Sequence, residues 1–488
     1  MTYIGIDLGT SSVKLLAIDK SGAVLGSVSR EYPVSYPKNG WSEQDPGDWV
    51  TGALGGLAEL LENLDRSSVR GISFGGQMHG LVVLDEEDKV VRPCILWNDG
   101  RTGAETDYLN SVIGRDALAQ YTGNIAFAGF TAPKLLWLKK NEPENFARIR
   151  RIMLPKDYLA YMLTGTHSTD YSDASGTLLL DVKNKRWSPE MLELCSVDMS
   201  MMPKLFESYE SIGVLKPELA ARFGLGEVVV AAGAGDNAAA AIGTGTVGNG
   251  KCNISLGTSG TIFICSDAFR MDDANALHSF AHADGDFHLM GCILSAAACG
   301  KWWVEDILKT DDYAGEDAQI ETLGENHLFF LPYLMGERSP HNDPNARGCF
   351  IGIGAQTSRA DILQAVYEGV AFALRDSLEV ARANGIEVNS VKICGGGAKS
   401  AVWRRIIANV LKVDVSTLAA EEGPALGAAI LAAVASGEFE DVAAGVDRVV
   451  RVDPGEKPCG KTAEKYDEKY RIYRSLYPAL KQSFRDMA

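Results

Sequence analysis

The sequence predicts an α/β protein built from two related halves, and two observations carry this prediction. Strand-like and helix-like segments interleave through most of the 488 residues, which is the pattern of layered α/β domains. Residues 4–14 (IGIDLGTSSVK) are echoed by residues 254–263 (ISLGTSGTIF), with Leu8 aligned to Leu256 at an offset of 248 residues. Each copy has an apolar strand, a Gly-Thr-Ser turn and a second β-rich segment, which is typical of a hairpin. A duplicated hairpin indicates two related domains that face each other.

Local signals place the other elements along the chain. Asp45 and Pro46 have the residue types of a helix N-cap and a first helical position, and Ser358 with Asp361 has capping-box spacing. The pattern predicts strands at 69–74, 80–84, 94–97, 391–394 and 413–416, and helices from Asp45-Pro46, over 359–384 and over 421–435. The charged tail from about residue 440 ends in a predicted surface helix with Tyr466, Tyr470 and Tyr473.

Composition and charge narrow the class of protein. Hydrophobic residues make up 46% of the chain and charged residues 23%, which is ordinary for a globular protein and excludes global disorder. The net charge of −17 repels phosphate backbones and anionic lipids, so neither nucleic acid nor a membrane is an expected partner. The opening MTYIGIDLGT lacks the basic region of a secretory signal, and no run of 18 apolar residues occurs. We therefore expect a cytoplasmic protein.

Cysteine and histidine spacing predicts neither a disulfide framework nor a zinc site. The nine cysteines are scattered without a C-x-x-C pair, and we expect most of them to be reduced thiols in the core. His278 and His282 are four residues apart with His288 nearby, but the segment reads as extended chain and lacks the carboxylate of a zinc-protease pattern. We therefore expect no metal on these histidines.

The first hairpin has the residue types of a phosphate and metal site. The backbone N–H groups and hydroxyls of Gly9–Ser12 can surround phosphate oxygens, and glycine lets the turn approach a ligand. Asp7 would repel phosphate unless a cation such as Mg²⁺ lies between them, and Lys14 can add a positive charge. The second hairpin has Ser255 in place of Asp7 but keeps Gly257–Ser259, so it can hold phosphate without metal. Together the two turns could clamp the phosphates of a nucleotide.

Asp236 is the candidate catalytic base. It lies in GAGDNAAAAIGTG, which follows an apolar run and is similar to a dinucleotide fingerprint at Gly233, Gly235 and Ala238. A carboxylate at this helix N-terminus would oppose a pyrophosphate, and no convincing acid follows about 20 residues later to bind a ribose. The position fits better an acceptor for a substrate hydroxyl proton, and we expect the helix start to favour the ionised form. A helix N-cap without chemistry is the alternative.

A third group of side chains suits a ligand with many hydroxyl groups. GGQMHG carries Gln77 and His79 on a glycine-rich strand and loop, and Trp97 and Asp99 close a following strand. Amide, imidazole, indole and carboxylate groups offer a stacking face and several hydrogen-bonding atoms. The alternative for His79 is a buried structural histidine.

On these residues the sequence resembles the FGGY family of carbohydrate kinases over roughly residues 1–440. Residues 129–141 (GFTAPKLLWLKKN) fit the first pattern of the family, and residues 348–368 (GCFIGIGAQTSRADILQAVYE) fit the second. Narrower strings of the resemblance are GWSEQDP (40–46), GGQMHG (75–80), ILWNDGR (95–101), LPKDYL (154–159), GDNAAAA (235–241) and LPYLMGERSPHND (331–343). They favour D-xylulose as the acceptor sugar.

The resemblance implies two ribonuclease-H-like, actin-like ATPase domains with ATP and Mg²⁺ in the interdomain cleft. Residues 1–247 would bind mainly the sugar, residues 248–440 mainly the nucleotide, and residues 441–488 would form a helical tail. The implied reaction is phosphorylation of D-xylulose to D-xylulose 5-phosphate, with Asp236 as the base and Asp7 at the metal. Implied nucleotide contacts are Gly9, Thr10, Ser11, Ser12, Lys14, Gly257, Thr258, Ser259, Gly396 and Gly397, and implied sugar contacts are Gln77, Met78, His79, Trp97, Asp99 and Asn237. Ala401 departs from family members that carry an amide facing adenine at this position.

Three alternatives stay open at this point. The same chemistry could act on another sugar or polyol, such as ribulose, gluconate or glycerol. A non-catalytic actin-like or chaperone ATPase would need a filament surface or an appended substrate domain, and the short polar tail shows neither feature. A nicotinamide dehydrogenase rests only on Gly233–Ala238. A homodimer is one option for assembly that the sequence does not decide.

Overall fold

The computed structural model describes residues 1–272, 274–419 and 422–487. The described chain alternates strands and helices throughout. The strands are β1 (Thr2–Leu8), β2 (Ser12–Asp19), β3 (Val24–Glu31), β4 (Glu43–Gln44), β5 (Val69–Gly76), β6 (Val82–Leu84), β7 (Cys94–Ile95), β8 (Arg151–Met153), β9 (Ser168–Asp170), β10 (Leu180–Asp181), β11 (Arg186–Trp187), β12 (Lys204–Phe206), β13 (Ser211–Val214), β14 (Val229–Ala231), β15 (Ala234–Gly235), β16 (Lys251–Leu256), β17 (Gly260–Ser266), β18 (His278–Ala281), β19 (Phe287–Ile293), β20 (Phe329–Leu331), β21 (Cys349–Ile351), β22 (Ser390–Cys394), β23 (Asp414–Leu418) and β24 (Val452–Glu456).

The helices pack on both sheets and form the tail. They are α1 (Pro46–Leu60), α2 (Gly103–Tyr108), α3 (Arg115–Thr122), α4 (Thr131–Asn141), α5 (Pro143–Arg148), α6 (Pro155–Thr164), α7 (Tyr171–Ala174), α8 (Pro189–Cys195), α9 (Pro217–Phe223), α10 (Asp236–Gly243), α11 (Ala297–Lys301), α12 (Tyr313–Asp317), α13 (Arg359–Ala383), α14 (Ala401–Leu411), α15 (Pro424–Ala435), α16 (Val442–Val449) and α17 (Gly460–Asp486). Short 3-10 turns at Ser175–Thr177 and Gly396–Lys399 lie beside the candidate site.

Two mixed seven-stranded sheets form the centres of the two halves. The first has the order β13-β14-β5-β1-β2-β3, with β15 also paired to β5, and the second has the order β18-β19-β17-β16-β22-β23-β24. In each sheet an antiparallel hairpin, β1–β2 or β16–β17, is formed by the echoed segments. The first strand of each hairpin also pairs in parallel with a later strand, β5 or β22. The predicted α/β fold with a repeated hairpin is therefore confirmed.

The predicted helix starts agree with the observed caps. Asp45 caps α1 by accepting a hydrogen bond from the Gly47 N–H, and Ser358 with Asp361 forms the capping box of α13. The helix predicted over 421–435 begins at Pro424, while residue 421 lies outside the described residues.

The tail helix α17 is less exposed than the sequence predicted. Tyr466, Tyr470 and Tyr473 are buried against Phe372 of α13, so the prediction of a surface helix was wrong for this face. The spacing of three and four residues puts these tyrosines on one side of the helix, where they join the core of the second half.

Helix α15 comes late in the chain but packs against β1 and β5 of the first sheet and against α10. Glycines allow this close approach, since a Cβ at Gly5 would lie 1.9 Å from the Ala425 carbonyl oxygen. A Cβ at Gly427 would lie 1.8 Å from the Ala239 carbonyl oxygen. The two halves therefore share one apolar cluster, to which Tyr3 and α15 both belong.

The three histidines near residue 280 lie on or beside β18 and β19, in extended chain. His278 stacks on Phe280, and His288 stacks on Phe263 with ring centroids 3.8 Å apart. These histidines therefore pack among aromatic rings. No helix of the described residues is both long and apolar enough to cross a membrane.

Candidate active site

Two carboxylates lie at the carboxyl ends of strands on opposite sides of β5. Asp7 of β1 is opposite Gly75, and Gly235 of β15, which precedes Asp236, is opposite Gly76. Neighbouring strands are about 4.8 Å apart, so the two backbones are separated by roughly 10 Å. Ligands of open α/β sheets bind at this end of the strands.

Asp7 has a strongly perturbed carboxyl group. Its pKa is raised to about 7, mainly by burial and also by the charge of Asp236, while the charge of Lys14 acts to lower it. The charge of Asp236 close to Asp7 makes this a site of negative potential. A divalent cation would neutralise that potential and favour the ionised form of Asp7.

Asp236 is the first residue of α10, and its side chain is half-buried. Its Oδ1 accepts hydrogen bonds from the backbone N–H and the side-chain amide of Asn237, at 2.7 and 3.0 Å. Burial raises the pKa of Asp236 to about 6, although the Asn237 N–H lowers it. The Asn237 N–H at the helix start favours the ionised form, but burial has the larger effect on the pKa. The carboxyl group is still ionised at neutral pH.

The turn of the first hairpin, Gly9–Ser12, is fastened to the protein through its carbonyl groups. The Gly9 carbonyl accepts a hydrogen bond from the Tyr32 hydroxyl at 2.5 Å, and the Thr10 carbonyl accepts one from Gln44 Nε2 at 2.7 Å. The turn closes with a bond from the Gly9 N–H to the Ser12 carbonyl. These bonds give the predicted phosphate turn a fixed shape.

Lys14 contacts the second half of the chain. Its Nζ lies 2.6 Å from the carboxylate of Glu422, which precedes α15. The two side chains are 30% and 27% exposed, and ion pairs with this exposure contribute at most about 1 kcal/mol. The Lys14 ammonium can therefore exchange Glu422 for a phosphate oxygen at little cost.

A cavity of about 1260 Å³ opens in the second half, beside the second hairpin. Its lining includes Gly257, Thr258, Gly396, Gly397 and Ala401. Of the predicted nucleotide contacts in this half, only Ser259 is not part of this lining within the described residues, and it is exposed at the same turn. The cavity is large enough for a nucleotide.

The cavity also has an aromatic wall. Tyr367 and Trp403 both line it, and their rings stack with centroids 4.2 Å apart. The glycines of the Gly396–Lys399 turn allow a ligand to approach the backbone closely.

Gln77 and Met78 directly follow β5, and Met78 lies against Asn237, the residue after Asp236. Gln77 Nε2 donates to Gln44 Oε1 at 3.0 Å, while Gln77 Oε1 is buried without a hydrogen-bond partner. Asn237 Nδ2 lies 3.9 Å from the Met78 sulfur. Because buried polar atoms are normally bonded, Gln77 Oε1 is an acceptor suited to a ligand hydroxyl.

His79 is held as a neutral ring of defined tautomer. Its Nδ1 lies 2.7 Å from the Gly176 carbonyl, so Nδ1 carries the proton and Nε2 is left as an acceptor. The pKa of His79 is lowered to about 3, mainly by burial and also by the charge of Lys134. The ring stacks on Phe130, with centroids 4.7 Å apart.

The backbone of His79 is also fixed. Its φ of 69° is in the left-handed region, which is unusual for a residue other than glycine. Lys134 Nζ and Thr131 Oγ1 both donate to the His79 carbonyl, at 2.8 and 3.1 Å. Residues of the first family pattern thus hold a predicted sugar contact in place.

Trp97 and Asp99 differ in how accessible their side chains are to a ligand. Trp97 is 47% exposed, and its indole N–H donates to Thr10 Oγ1 at 3.0 Å, so the ring lies against the first hairpin turn and keeps an exposed face. The carboxylate of Asp99 is buried and accepts hydrogen bonds from the Ser42 N–H and from the Arg101 guanidinium. A direct sugar contact by Asp99 stays a prediction, and the oxygens it would use already have partners.

Several neighbours of the site were absent from the predicted residues. Gln44 and Lys134 lie in strings that carry the family resemblance. The sequence therefore marked these positions, but the hydrogen bonds that they make could be found only in the structure. Arg338 lies 5.3 Å from the Phe127 ring, and its charge contributes to the low pKa of His79. Glu422 had no signal in the sequence, because its contact with the first hairpin depends on the fold.

The carboxylate chemistry at Asp7 fits Mg²⁺. Within the described residues no group of three or more His, Cys, Asp or Glu side chains could cage a metal ion. Mg²⁺ in proteins needs no such cage, since it commonly uses one or two carboxylates, water and the phosphates of its nucleotide. Asp7, beside the phosphate turn and near Asp236, matches that donor set.

Comparison with known proteins agrees with this geometry. Residues 2–243 match the N-terminal domain and residues 252–436 the C-terminal domain of the FGGY family of carbohydrate kinases. The chain is 39% identical to a xylulose kinase of Escherichia coli (strain K12) over 489 residues, covering 98% of this chain and 99% of that protein. It is 42% identical to a solved structure named a "xyloylose kinase" from Brucella ovis, with a TM-score of 0.93, covering 99% of this chain and 100% of that one. A solved gluconate kinase from Lactobacillus acidophilus is 27% identical with a TM-score of 0.94, covering 100% and 99% of the two chains.

Proposed function

Because the chain belongs to the FGGY family of carbohydrate kinases, we propose that it transfers the γ-phosphoryl group of ATP to D-xylulose and forms D-xylulose 5-phosphate. Two relatives that carry the name xylulose kinase, each 39% identical to this chain, support D-xylulose as the substrate. The observation that carries the chemistry is the position of Asp236, half-buried at a helix start, bonded to Asn237 and close enough to Asp7 to raise the pKa of that residue. Membership of a kinase family decides against the dehydrogenase and the non-catalytic ATPase.

The nucleotide would lie between the two hairpin turns. The cavity beside Gly257 and Gly396 would accommodate its base and ribose, and the turn Gly9–Ser12 would bind its phosphates. Lys14 would leave Glu422 and bind a phosphate oxygen. Mg²⁺ supplies charge neutralisation on the phosphates when it is bound, and Asp7 would hold it directly or through water.

The sugar would be oriented mainly through acceptor atoms. Gln77 Oε1 and His79 Nε2 are both available as acceptors, so each can receive a hydrogen bond from a different hydroxyl. Trp97 offers an exposed ring face at the edge of this group. These fixed acceptors would place one remaining hydroxyl beside Asp236.

Asp236 would act as the base during transfer. Its pKa of about 6 is roughly 10 units below that of a hydroxyl similar to water, so it cannot remove the proton beforehand. Instead it aims the hydroxyl and accepts the proton as the new P–O bond forms. Exclusion of water from the cleft would prevent hydrolysis of ATP in place of transfer.

A substrate panel tests this function. The purified chain with ATP and Mg²⁺ is given D-xylulose, D-ribulose, gluconate or glycerol, and ADP formation is measured together with the phosphorylated product by ³¹P NMR. We expect the highest kcat/KM with D-xylulose. A higher value with gluconate would favour the alternative that the gluconate kinase structure raises, and ADP formation that needs no acceptor would overturn the proposal.

The domain limits at 247 and 440, a homodimer and a cytoplasmic location stay predictions from the sequence. Light scattering of the purified chain at several concentrations would measure the mass of the assembly. A mass close to 52.4 kDa at all concentrations would contradict a homodimer.

A further inference from the structure

A fully buried cluster of charges lies next to the strand that leads into the candidate base. The proposed reaction does not explain the role of this cluster. Lys156 of the LPKDYL string has no exposed surface, and its Nζ lies 2.6 Å from Asp157 Oδ1 and 2.8 Å from Asp170 Oδ1. Asp173 Oδ2 lies 3.6 Å from the same ammonium. Burial acts to lower the pKa of Lys156, but the three carboxylates raise it above its ordinary value. The Lys156 ammonium therefore stays protonated, and the carboxylates around it balance its charge.

Asp170 links this ammonium to a pair of serines. While Oδ1 faces Lys156, Oδ2 accepts hydrogen bonds from the hydroxyl of Ser172 and, at 2.7 Å, from the hydroxyl of Ser208. Oδ2 also accepts the Ser172 N–H at 2.8 Å, which makes Asp170 the N-cap of α7. Both oxygens of the carboxylate are therefore fixed in direction.

Ser172 carries the link onward to the strand that leads into the candidate base. Its hydroxyl oxygen accepts a hydrogen bond from the Gly235 N–H at 3.1 Å, while its proton is donated to Asp170. Gly235 is the residue immediately before Asp236 and ends β15. An unbroken line of contacts thus runs from the Lys156 ammonium through Asp170 and Ser172 to Gly235.

The same lysine supports β15 from a second side. A Cβ at Gly76 of β5 would lie 2.6 Å from the Lys156 Cβ, so Lys156 packs directly on this residue. Gly76 is the strand partner of Gly235. The cluster therefore contacts both the peptide that precedes Asp236 and the strand residue paired with it.

Stability alone is a poor reason for such a cluster. Removing several charges from water is costly, and well-packed apolar side chains of similar volume often stabilise a protein as well or better. A buried ionic network does, however, fix the directions of its members. The function of this network is therefore to be found in the position of Gly235, where its line of contacts ends.

We propose that Lys156, Asp170 and Ser172 are positioning residues that hold the Gly235–Asp236 peptide so that the Asp236 carboxylate faces the acceptor hydroxyl. The hydrogen bonds of the Asp236 side chain are local ones with Asn237, so its direction follows the backbone that the cluster holds. This inference rests on the proposed role of Asp236 as the base. It adds the residues that set the direction of the Asp236 carboxylate.

Two serines give a matched test. Ser172→Ala and Ser208→Ala each remove one hydroxyl that donates to Asp170 Oδ2, and both side chains are buried. Only Ser172 also bonds to Gly235. A third variant, Ser172→Cys, keeps more of the side-chain volume and replaces the hydroxyl with a weak hydrogen-bonding group, which guards against a loss of folding.

For Ser172→Ala and Ser172→Cys we expect kcat for D-xylulose to fall about tenfold or more, because a misplacement of about 1 Å can cost up to about a hundredfold in rate. The KM for the sugar should stay within about threefold, and the acid limb of the kcat profile should keep its position because the base is unchanged. Ser208→Ala should keep kcat within about twofold of the native value. Its Tm should fall by about as much as the Tm of Ser172→Ala.

Equal kcat values for the Ser172 and Ser208 variants would overturn the inference, as would a change confined to KM. Asp236→Asn, measured alongside, separates this result from failure of the proposed function. If Asp236→Asn is nearly as active as the native chain, the assignment of the base is wrong. If that variant is inactive and the two serine variants behave alike, the positioning role is wrong.

Discussion

Replacing Asp236 with asparagine should inactivate the protein and stabilise its fold at the same time. The substitution keeps a carbonyl oxygen that can accept the Asn237 N–H but removes the charge and the proton acceptor. A positioned general base contributes about 10² to 10⁴ in rate, so kcat should fall by about a thousandfold. Sugar binding should persist, because Gln77 and His79 are unchanged.

The gain in stability follows from the perturbed carboxyl group. Burial raises the pKa of Asp236 from 3.8 to about 6, which means that the ionised form is less stable in the folded chain than in the unfolded one. Two pKa units correspond to about 3 kcal/mol at pH 7.5, and partial exposure of the side chain reduces this to roughly 1–3 kcal/mol. The penalty is present above pH 6 and disappears as the pH falls below 4, because the carboxyl group is then protonated in both states. Asparagine avoids the penalty at every pH.

Urea unfolding at pH 7.5 and at pH 4.5, followed by circular dichroism, measures this effect beside the kcat assay. Asp45→Asn is a matched control, because Asp45 also begins a helix but is exposed and asparagine caps equally well. We expect the control to keep both activity and stability. An Asp236→Asn chain that is less stable than the native chain at pH 7.5, or that retains more than a tenth of its kcat, would refute the reasoning.

Further predictions concern pH, the two ligands and the packing of the halves. Because Asp236 must be ionised, kcat/KM should fall tenfold per pH unit below about pH 6, and a profile that is flat to pH 4.5 would contradict this base. His79→Ala should raise the KM for D-xylulose by about tenfold and leave the KM for ATP unchanged, since it removes one neutral hydrogen-bond acceptor from the predicted sugar contacts. Ala401→Phe, which extends an exposed residue into the nucleotide cavity, should raise the KM for ATP instead, and a change in the sugar KM alone would argue against the site. Gly427→Ala should lower the free energy of unfolding by about 3 kcal/mol or more in urea, because its Cβ would overlap the Ala239 carbonyl, whereas Gly103→Ala has open space and should cost little.

Much of the fold could be predicted from local patterns. The hairpins, the capped starts of α1 and α13 and the strand before Asp236 all depend on residues that are close in sequence, where turn and cap chemistry is specific. The burial of Tyr466 and its neighbours was missed because a helix with charged residues between tyrosines reads as exposed until its partner, α13, is known.

The candidate site was predictable in its residue types but less so in its electrostatics. Asp236 could be chosen from its glycine turn, yet its raised pKa depends on burial that distant segments produce. The same limit applies to His79, whose tautomer is set by Gly176, nearly a hundred residues later. Contacts between residues far apart in sequence leave no mark that a single sequence reveals.

The position of α15 has a consequence for how the chain is made. Residues such as Tyr3 and Leu16 complete their packing only against a helix that ends at Ala435. At a synthesis rate of about 5–20 residues per second, the interval between completion of residue 247 and emergence of α15 is roughly 10–40 seconds. During that time the nascent first half exposes to solvent the apolar face that α15 later covers. The amino-terminal half therefore reaches its native state only after most of the message has been translated.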